Sequence, residues 1–190
     1  MTLNNRVHEF ERYGSVQIAL HWLMVLLIVA VYACIELREL YPKESAIREG
    51  LKNWHYMTGL AVFGLVWLRL IARFLRPAPP IMPPPPRWQL SLAHAAEFAI
   101  YVFMIAMPVL GWLLLSAEGD PVPFFGLELP ALMAPNETAA DALEEVHEAI
   151  GTIGYALVGI HAAAALAHHY IYRDNTLLRI LPARRRSLSQ

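Results

Sequence analysis

The sequence contains a single cysteine, Cys34, among its 190 residues. One cysteine excludes an internal disulfide, and no Cys-x-x-Cys-His segment is present for covalent haem attachment. The chain also lacks the cysteine cluster that an iron–sulfur or cysteine-based zinc centre requires. Any metal chemistry must therefore use other side chains, and the eight histidines are the most informative of these.

Charged residues are scarce as well, since Lys, Arg, Asp and Glu make up 16% of the chain, against about 25% in ordinary globular domains. Hydrophobic residues make up 57%, and the mean hydropathy is +0.40. The formal net charge is only -1. This composition is typical of an integral membrane protein whose main partner is the lipid bilayer, and we expect no nucleic-acid partner.

Four apolar segments are long enough to cross a bilayer, which takes about 20 residues. They cover residues 15–37, 54–75, 90–116 and 146–172. The first has too long an apolar run for a signal peptide and no small-x-small cleavage site, so we expect it to be retained. Residues 76–87 are too rich in proline to be helical and predict an extended linker. We therefore predict an all-α, four-helix membrane bundle that forms a single domain over residues 1–190.

The distribution of charge predicts how these spans are oriented. Arginines cluster around the proline-rich linker and after the fourth span, at Arg69, Arg73, Arg76, Arg87, Arg173, Arg179, Arg184, Arg185 and Arg186. The connection between the third and fourth spans is acidic. The positive-inside rule then places both termini and the linker in the cytoplasm. We predict a multi-pass protein of a bacterial inner membrane, with its other two loops in the periplasm.

Ionisable residues inside membrane spans are energetically costly, so their presence there indicates a function. The simpler alternative for any one histidine is a hydrogen bond to a neighbouring helix. His147 and His161 are 14 residues apart in the fourth span, which corresponds to about 40° in direction and roughly 21 Å along a helix. One face of this helix is therefore predicted to present one imidazole near the outer surface and a second one deep toward the inner surface.

Each of these two histidines needs a partner at its own depth if a pair is to bind one metal centre. His55 opens the second span, which starts on the same side as the fourth, so we expect it to lie level with His147. His21 lies roughly 9 Å into the first span, whereas His161 lies roughly 17 Å before the end of the fourth. These depths overlap once tilt is allowed for, and His94 in the third span is an alternative partner.

Two neutral imidazoles on facing helices are the ligands that a six-coordinate b-type haem needs. Such a haem has no open position on its iron, which favours electron transfer over metal-centred hydrolysis. Zinc is the competing metal, but it prefers four tetrahedral ligands. Space for a macrocycle is offered by glycines on the second and fourth spans, which also suit close helix packing: Gly59, Gly64, Gly151, Gly154 and Gly159.

His168 lies seven residues beyond His161, on the same predicted face and near the cytoplasmic surface. It is suited to a hydrogen bond with a quinone carbonyl or a haem propionate, and the alternative is an ordinary interfacial histidine. His169 points elsewhere and is expected to be interfacial. His8, in the polar N-terminal segment, is uninformative. Arg69 and Arg73 are either propionate partners or arginines that extend to the membrane surface.

The chain resembles the bacterial cytochrome b561 family of the four-helix, di-haem type, including its superoxide-oxidising members. The resemblance is carried by Gln17–Trp22, Gly159–Tyr170 and Asp174–Arg179, with support from the linker and Gly126–Pro130. It implies two b haems, whose iron is ligated by His21 with His161 and by His55 with His147. It also implies oxidation of superoxide at the periplasmic side and reduction of ubiquinone near His168. No catalytic residue is assigned beyond the haem ligands.

The first periplasmic loop does not by itself show the positive patch that would steer superoxide, a small anion. Its cations alternate with four glutamates, in the order Glu36, Arg38, Glu39, Lys43, Glu44, Arg48, Glu49 and Lys52. One alternative function is therefore a quinol-linked cytochrome b that serves another redox protein. A second is a haem-free metal transporter that uses the same row of histidines.

Overall fold

A computed structural model describes residues 11–182 of the chain. Its elements are α1 (Ser15–Arg38), α2 (Ala46–Leu75), α3 (Arg87–Glu118), β1 (Val122–Phe124), β2 (Leu127–Leu129) and α4 (Glu137–Ala167), then a π-helical segment (His168–Tyr172) and α5 (Thr176–Ile180). The four long helices are apolar and long enough to cross a membrane, which confirms the predicted fold class. His8, Arg184, Arg185 and Arg186 lie outside the described residues, so the prediction about the termini is not tested.

Two of the helices begin well before the apolar spans recognised in the sequence. α2 starts at Ala46, eight residues before position 54, and α4 starts at Glu137, nine residues before position 146. Each start has a side-chain cap: Ser45 Oγ accepts the Arg48 N–H at 3.2 Å, and Asn136 Oδ1 accepts the Ala139 N–H at 3.0 Å. A capped polar first turn is stable as helix although it is not apolar, so hydropathy alone locates the start too late.

The helices pack in chain order, α1 on α2, α2 on α3 and α3 on α4. A core of Met24, Val62, Val66 and Met104 forms where α1, α2 and α3 meet. α4 approaches α1 through side chains. Tyr155 Oη of α4 donates to Glu36 Oε1 of α1 at 2.5 Å, and Tyr32 Oη of α1 donates to the Gly151 carbonyl of α4 at 2.8 Å. The space between α4 and the α1–α2 pair is where the candidate site lies.

One end of the bundle is closed by the β1–β2 hairpin, and we call it the hairpin end. Phe125 and Gly126 form the turn, with φ angles of 48° and 87°, a backbone that favours glycine in the second position. Val122 of the hairpin is buried against Leu60 of α2 and Leu115 of α3. The hairpin therefore holds the ends of two helices together beside the site.

The opposite end carries the proline-rich residues 77–86, which are not helical, and we call it the linker end. Gln17 Nε2 donates to the carbonyls of Ala72 and Arg76 at 3.2 and 3.0 Å, which ties the start of α1 to the end of α2. Asn175 contacts Met82 through hydrogen bonds in both directions. The chain after α4 is therefore attached to the linker.

Candidate functional site

A cavity of about 410 Å³ opens at the hairpin end between all four long helices. Cofactor pockets usually have volumes of about 300–1,000 Å³. His55 of α2 and His147 of α4 both line this cavity, together with Gly59, Gly111 and Gly151. The structure thus brings together the two histidines that the sequence placed at one level.

The two imidazole rings lie at the separation that a shared metal ion requires. Their centroids are 6.3 Å apart and their planes are inclined at 74°. With metal–nitrogen bonds of about 2.0 Å and a ring radius of about 1.2 Å, two ligands on opposite sides of one ion have centroids roughly 6.4 Å apart. A separation of this size would allow the two imidazoles to hold one haem iron between them.

The backbone of α1 orients the first of these rings. His55 Nδ1 lies 3.0 Å from the Val31 carbonyl oxygen, and a carbonyl only accepts, so the proton of a neutral His55 ring is on Nδ1. Nε2 then carries the free lone pair. A backbone hydrogen bond on the far nitrogen is the usual way in which proteins orient a metal-binding histidine.

A glycine of α3 makes room for the second ring. A Cβ atom on Gly111 would lie 3.2 Å from Cε1 and 3.7 Å from Nδ1 of His147, so this edge of the ring lies against the α3 backbone. His147 Nδ1 is buried and has no hydrogen-bond partner among residues 11–182. Gly111 has no signal in the sequence, because only its proximity to His147 reveals its role.

The earlier helix starts change the predicted depths but preserve their match. His55 was predicted to open its helix, but it lies nine residues after the helix start at Ala46. His147 lies ten residues after the start of α4 at Glu137. At 1.5 Å per residue, the two differ by only about 1.5 Å along their helices. Because both helices begin earlier than predicted by a similar number of residues, His55 and His147 still lie at the same level.

The second predicted pair is held in a different way. Arg69 Nη1 lies 3.0 Å from His21 Nδ1, and Arg69 Nε donates to Tyr101 Oη at 3.3 Å. Since arginine only donates, His21 Nδ1 must accept, and the proton of a neutral ring is then on Nε2. His94, the alternative partner, is exposed on α3.

His168 lies in the π-helical segment and makes a short hydrogen bond to a buried carboxylate. Its Nδ1 is 2.5 Å from Asp174 Oδ2, and only 4% of the Asp174 side chain is exposed. His169 stacks edge-on with Tyr170, with ring centroids 4.7 Å apart. Of the two neighbouring histidines, His168 is thus the one held in a defined orientation.

Comparison with known proteins decides the family. A sequence model of prokaryotic cytochrome b561 matches residues 12–183. The chain belongs to this family. Cytochrome b561 homolog 1 of Escherichia coli K12 is 38% identical over 175 residues, which are 92% of this chain and 99% of that protein. A probable superoxide oxidase of Yersinia pestis is 36% identical over 175 residues, 92% of this chain and 98% of its own. Cytochrome b562 of Cereibacter sphaeroides is 26% identical over 178 residues, 90% and 96% of the two chains.

The predicted resemblance is therefore confirmed, and the protein is a multi-pass membrane protein of the cytochrome b561 electron-transfer family. Membership implies that it binds haem b. The paired imidazoles at the hairpin end are consistent with that cofactor, because each offers one free ring nitrogen. Within residues 11–182, no group of three or more His, Cys, Asp or Glu side chains is arranged to hold a bare metal ion.

The glycines that were expected to make room for a cofactor differ in their surroundings. Gly59 and Gly151 line the cavity. Gly154 instead accommodates side chains, because a Cβ atom there would overlap Tyr32 and Phe103. For Gly154 the ordinary packing alternative is thus the better account, whereas an added Cβ at Gly64 would meet open space.

Proposed function

We propose that this cytochrome b561 holds two b haems and transfers electrons from superoxide, taken at the hairpin end, to ubiquinone at the linker end. His55 and His147 are the proposed ligands of one haem, and His21 and His161 those of the other. The observation that carries the proposal is the cavity in which two imidazole rings are 6.3 Å apart. By the positive-inside rule, the linker end faces the cytoplasm of a bacterial inner membrane and the hairpin end the periplasm.

The side chains of this protein supply the environment that such electron transfer needs. A bound haem supplies an iron that accepts and releases one electron at a time. Apolar walls from Met104, Met107 and Leu115 limit the access of water to the cavity. His161 follows His147 on α4 by roughly 21 Å, so a single helix contributes one ligand to each proposed haem.

Two cations and several carboxylates surround the mouth of the cavity. Arg38 and Lys52 line it, and so do Glu118, Glu144 and Glu148. Arg38 Nε lies 3.0 Å from a Glu39 carboxylate oxygen, which offsets its charge. Lys52 lies with Nζ 5.9 Å from the centre of the Tyr56 ring. Lys52 forms no ion pair within 4.0 Å among residues 11–182, and it is the cation that we propose attracts an anion such as superoxide.

The same carboxylates favour a second candidate function. Glu118, Glu144 and Glu148 on the rim would attract a positively charged redox protein. Electrostatic complementarity of this kind speeds the encounter between electron-transfer partners. The alternative is then a quinol-linked cytochrome b that serves such a protein and does not react with superoxide.

A superoxide pulse distinguishes the two functions. Oxidised protein in detergent is mixed with superoxide, and the haem α-band is followed in a stopped-flow spectrometer with ubiquinone absent. We expect rapid reduction, and Lys52→Gln should slow it about two- to five-fold at low ionic strength because one steering charge is lost.

Lys43→Gln is the matched control, because Lys43 is an exposed cation that does not line the cavity. It should change the rate little. If the oxidised wild type does not respond to superoxide, the superoxide proposal is abandoned in favour of the electron carrier. Equal effects of the two substitutions would instead show that Lys52 attracts superoxide no better than Lys43 does.

A further inference from the structure

The chain reverses direction after α4 in a way that brings Asp174 back to His168. The π-helical segment His168–Tyr172 ends at Arg173, whose φ of 56° is in the left-handed region. The Asp174 N–H then donates to the His168 carbonyl at 3.1 Å, and the Asp174 carboxylate contacts the His168 ring at 2.5 Å. π-Helical turns are rare and occur frequently at functional sites.

The Asp174 carboxylate is itself held in place. Its Oδ1 accepts the Thr176 N–H at 2.8 Å while Oδ2 contacts His168. Burial raises the pKa of Asp174, but the hydrogen bonds from His168 and Thr176 outweigh it and hold the pKa below its ordinary value. Asp174 is therefore ionised at neutral pH and acts as an acceptor on both oxygens.

The residues that follow Asp174 attach it to the proline-rich linker. Asn175 Oδ1 accepts the Met82 N–H at 2.8 Å, and the Asn175 N–H donates to the Met82 carbonyl at 3.2 Å. The buried Arg179 donates to the Pro79 carbonyl. The segment that carries Asp174 is thus attached to the linker, while the Asp174 carboxylate contacts the His168 ring itself.

We infer that Asp174 is a positioning residue for the proposed quinone site, where it orients His168 and determines which ring nitrogen meets the quinone. This inference rests on the proposed function. A carboxylate only accepts, so His168 donates from Nδ1 and leaves Nε2 for the ligand. A quinol hydroxyl can donate to Nε2 of the neutral ring. A quinone carbonyl can accept from Nε2 of the protonated ring, whose charge Asp174 balances.

Asp174→Asn is the sharpest test, because it keeps the size of the side chain and one oxygen acceptor for Thr176. An amide can donate to Nδ1, which would move the His168 proton to Nε2, as removal of the orienting carboxylate does in other histidine–carboxylate pairs. The readout is the reduction of oxidised haem by added ubiquinol. We expect the apparent KM for quinol to rise about tenfold or more, with the superoxide-driven reduction of haem unchanged.

Asn175→Ala is the matched control for a purely structural role. It removes the side-chain bonds to the Met82 N–H and the Pro80 carbonyl, keeps the backbone bond to the Met82 carbonyl, and leaves the Asp174 carboxylate in place. We expect it to lower the thermal unfolding temperature and to leave the KM for quinol within about twofold. Asp174→Glu, which retains the acceptor, should recover part of the lost affinity.

Solid-state ¹⁵N NMR of histidine-labelled protein supplies a readout that does not depend on turnover. The His168 signal, assigned by its loss in His168→Gln, should report protonated Nδ1 in the wild type and a shifted proton in Asp174→Asn. An unchanged KM in Asp174→Asn, or an equal rise in Asn175→Ala, would overturn the positioning role while leaving the quinone proposal intact. If wild-type haem is not reduced by ubiquinol at all, the quinone proposal and this inference both fail.

Discussion

The two ends of this membrane bundle hold their proposed haem-binding histidines by different physical means. At the hairpin end, His55 bonds to the backbone carbonyl of Val31, and His147 lies against the backbone of Gly111. At the linker end, His21 bonds to the guanidinium of Arg69. Backbone atoms in packed helices are rigid, whereas a long arginine side chain can exchange one partner for another. At the hairpin end these contacts leave Nε2 of His55 unprotonated. At the linker end Arg69 occupies Nδ1 of His21 and leaves the proton on Nε2, so Arg69 must release Nδ1 before His21 can bind an iron.

The two ends of the bundle also differ in the charged side chains that lie near their histidines. Near the linker end, Arg69 contacts His21 and Tyr101, and Arg73 forms an ion pair with Glu97 at 3.0 Å. The walls of the cavity at the hairpin end are mostly apolar, with charges at its mouth. A positive charge close to a haem favours its reduced form, because reduction removes one positive charge from the iron. The linker-end haem is thus expected to have the higher potential, which suits electron flow toward that end.

Removal of a proposed haem ligand should have the largest effect and should act on one end of the bundle only. His55→Ala should abolish the hairpin-end haem, and His161→Ala should abolish the linker-end haem, because each leaves the iron with one axial nitrogen. A pyridine haemochrome assay should then fall from two haems per chain to one in each variant. Superoxide should still reduce the remaining haem in His161→Ala, whereas in His55→Ala that reaction should be lost.

His94→Ala is the control, because His94 is exposed on α3 and is the alternative ligand that the sequence left open. We expect it to retain both haems. Loss of a haem in His94→Ala together with retention of both in His21→Ala would show that the linker-end pair has been assigned to the wrong helix.

Substitution of Gly111 should have a smaller effect, and it tests the close contact between this glycine and His147. In Gly111→Ala, the added Cβ would lie 3.2 Å from His147 Cε1, and overpacking of this kind costs about 1–3 kcal/mol. Haem affinity at the hairpin end should fall by about one order of magnitude, measured by titrating haem into haem-depleted protein. Gly64→Ala meets open space and should bind haem normally. Equal affinities in the two variants would contradict the role given to Gly111.

The smallest expected effect tests the charge at the linker end. Arg69→Gln removes the cation beside His21 and should lower the potential of the linker-end haem by on the order of 50 mV. The hairpin-end potential should not move. Arg76→Gln, an exposed arginine at the end of α2, serves as the control in a spectroelectrochemical titration. A shift of both potentials by the same amount would show that Arg69 acts on the whole protein and not on one site.

The sequence predicted the histidine levels better than it predicted the helix ends. The apolar runs located four spans, but the capped polar starts at Ser45 and Asn136 were missed because hydropathy does not register them. The match of His55 with His147 survived, since both helices were extended by nearly the same length. Nothing in the sequence indicated the two residues that contact these histidines, Val31 and Gly111. Their contacts join residues that are distant in sequence.

The sequence by itself determined that this is a four-helix membrane protein with histidines at two levels, since hydropathy and helical periodicity are properties of one segment at a time. Membership of the cytochrome b561 family was also evident from local motifs. Only the tertiary structure decided which nitrogen of His55, His21 and His168 is bonded, which glycine makes room for His147, and that Asp174 meets His168. These are contacts between helices, or across the turn after α4, and their geometry is set by packing and not by any single segment.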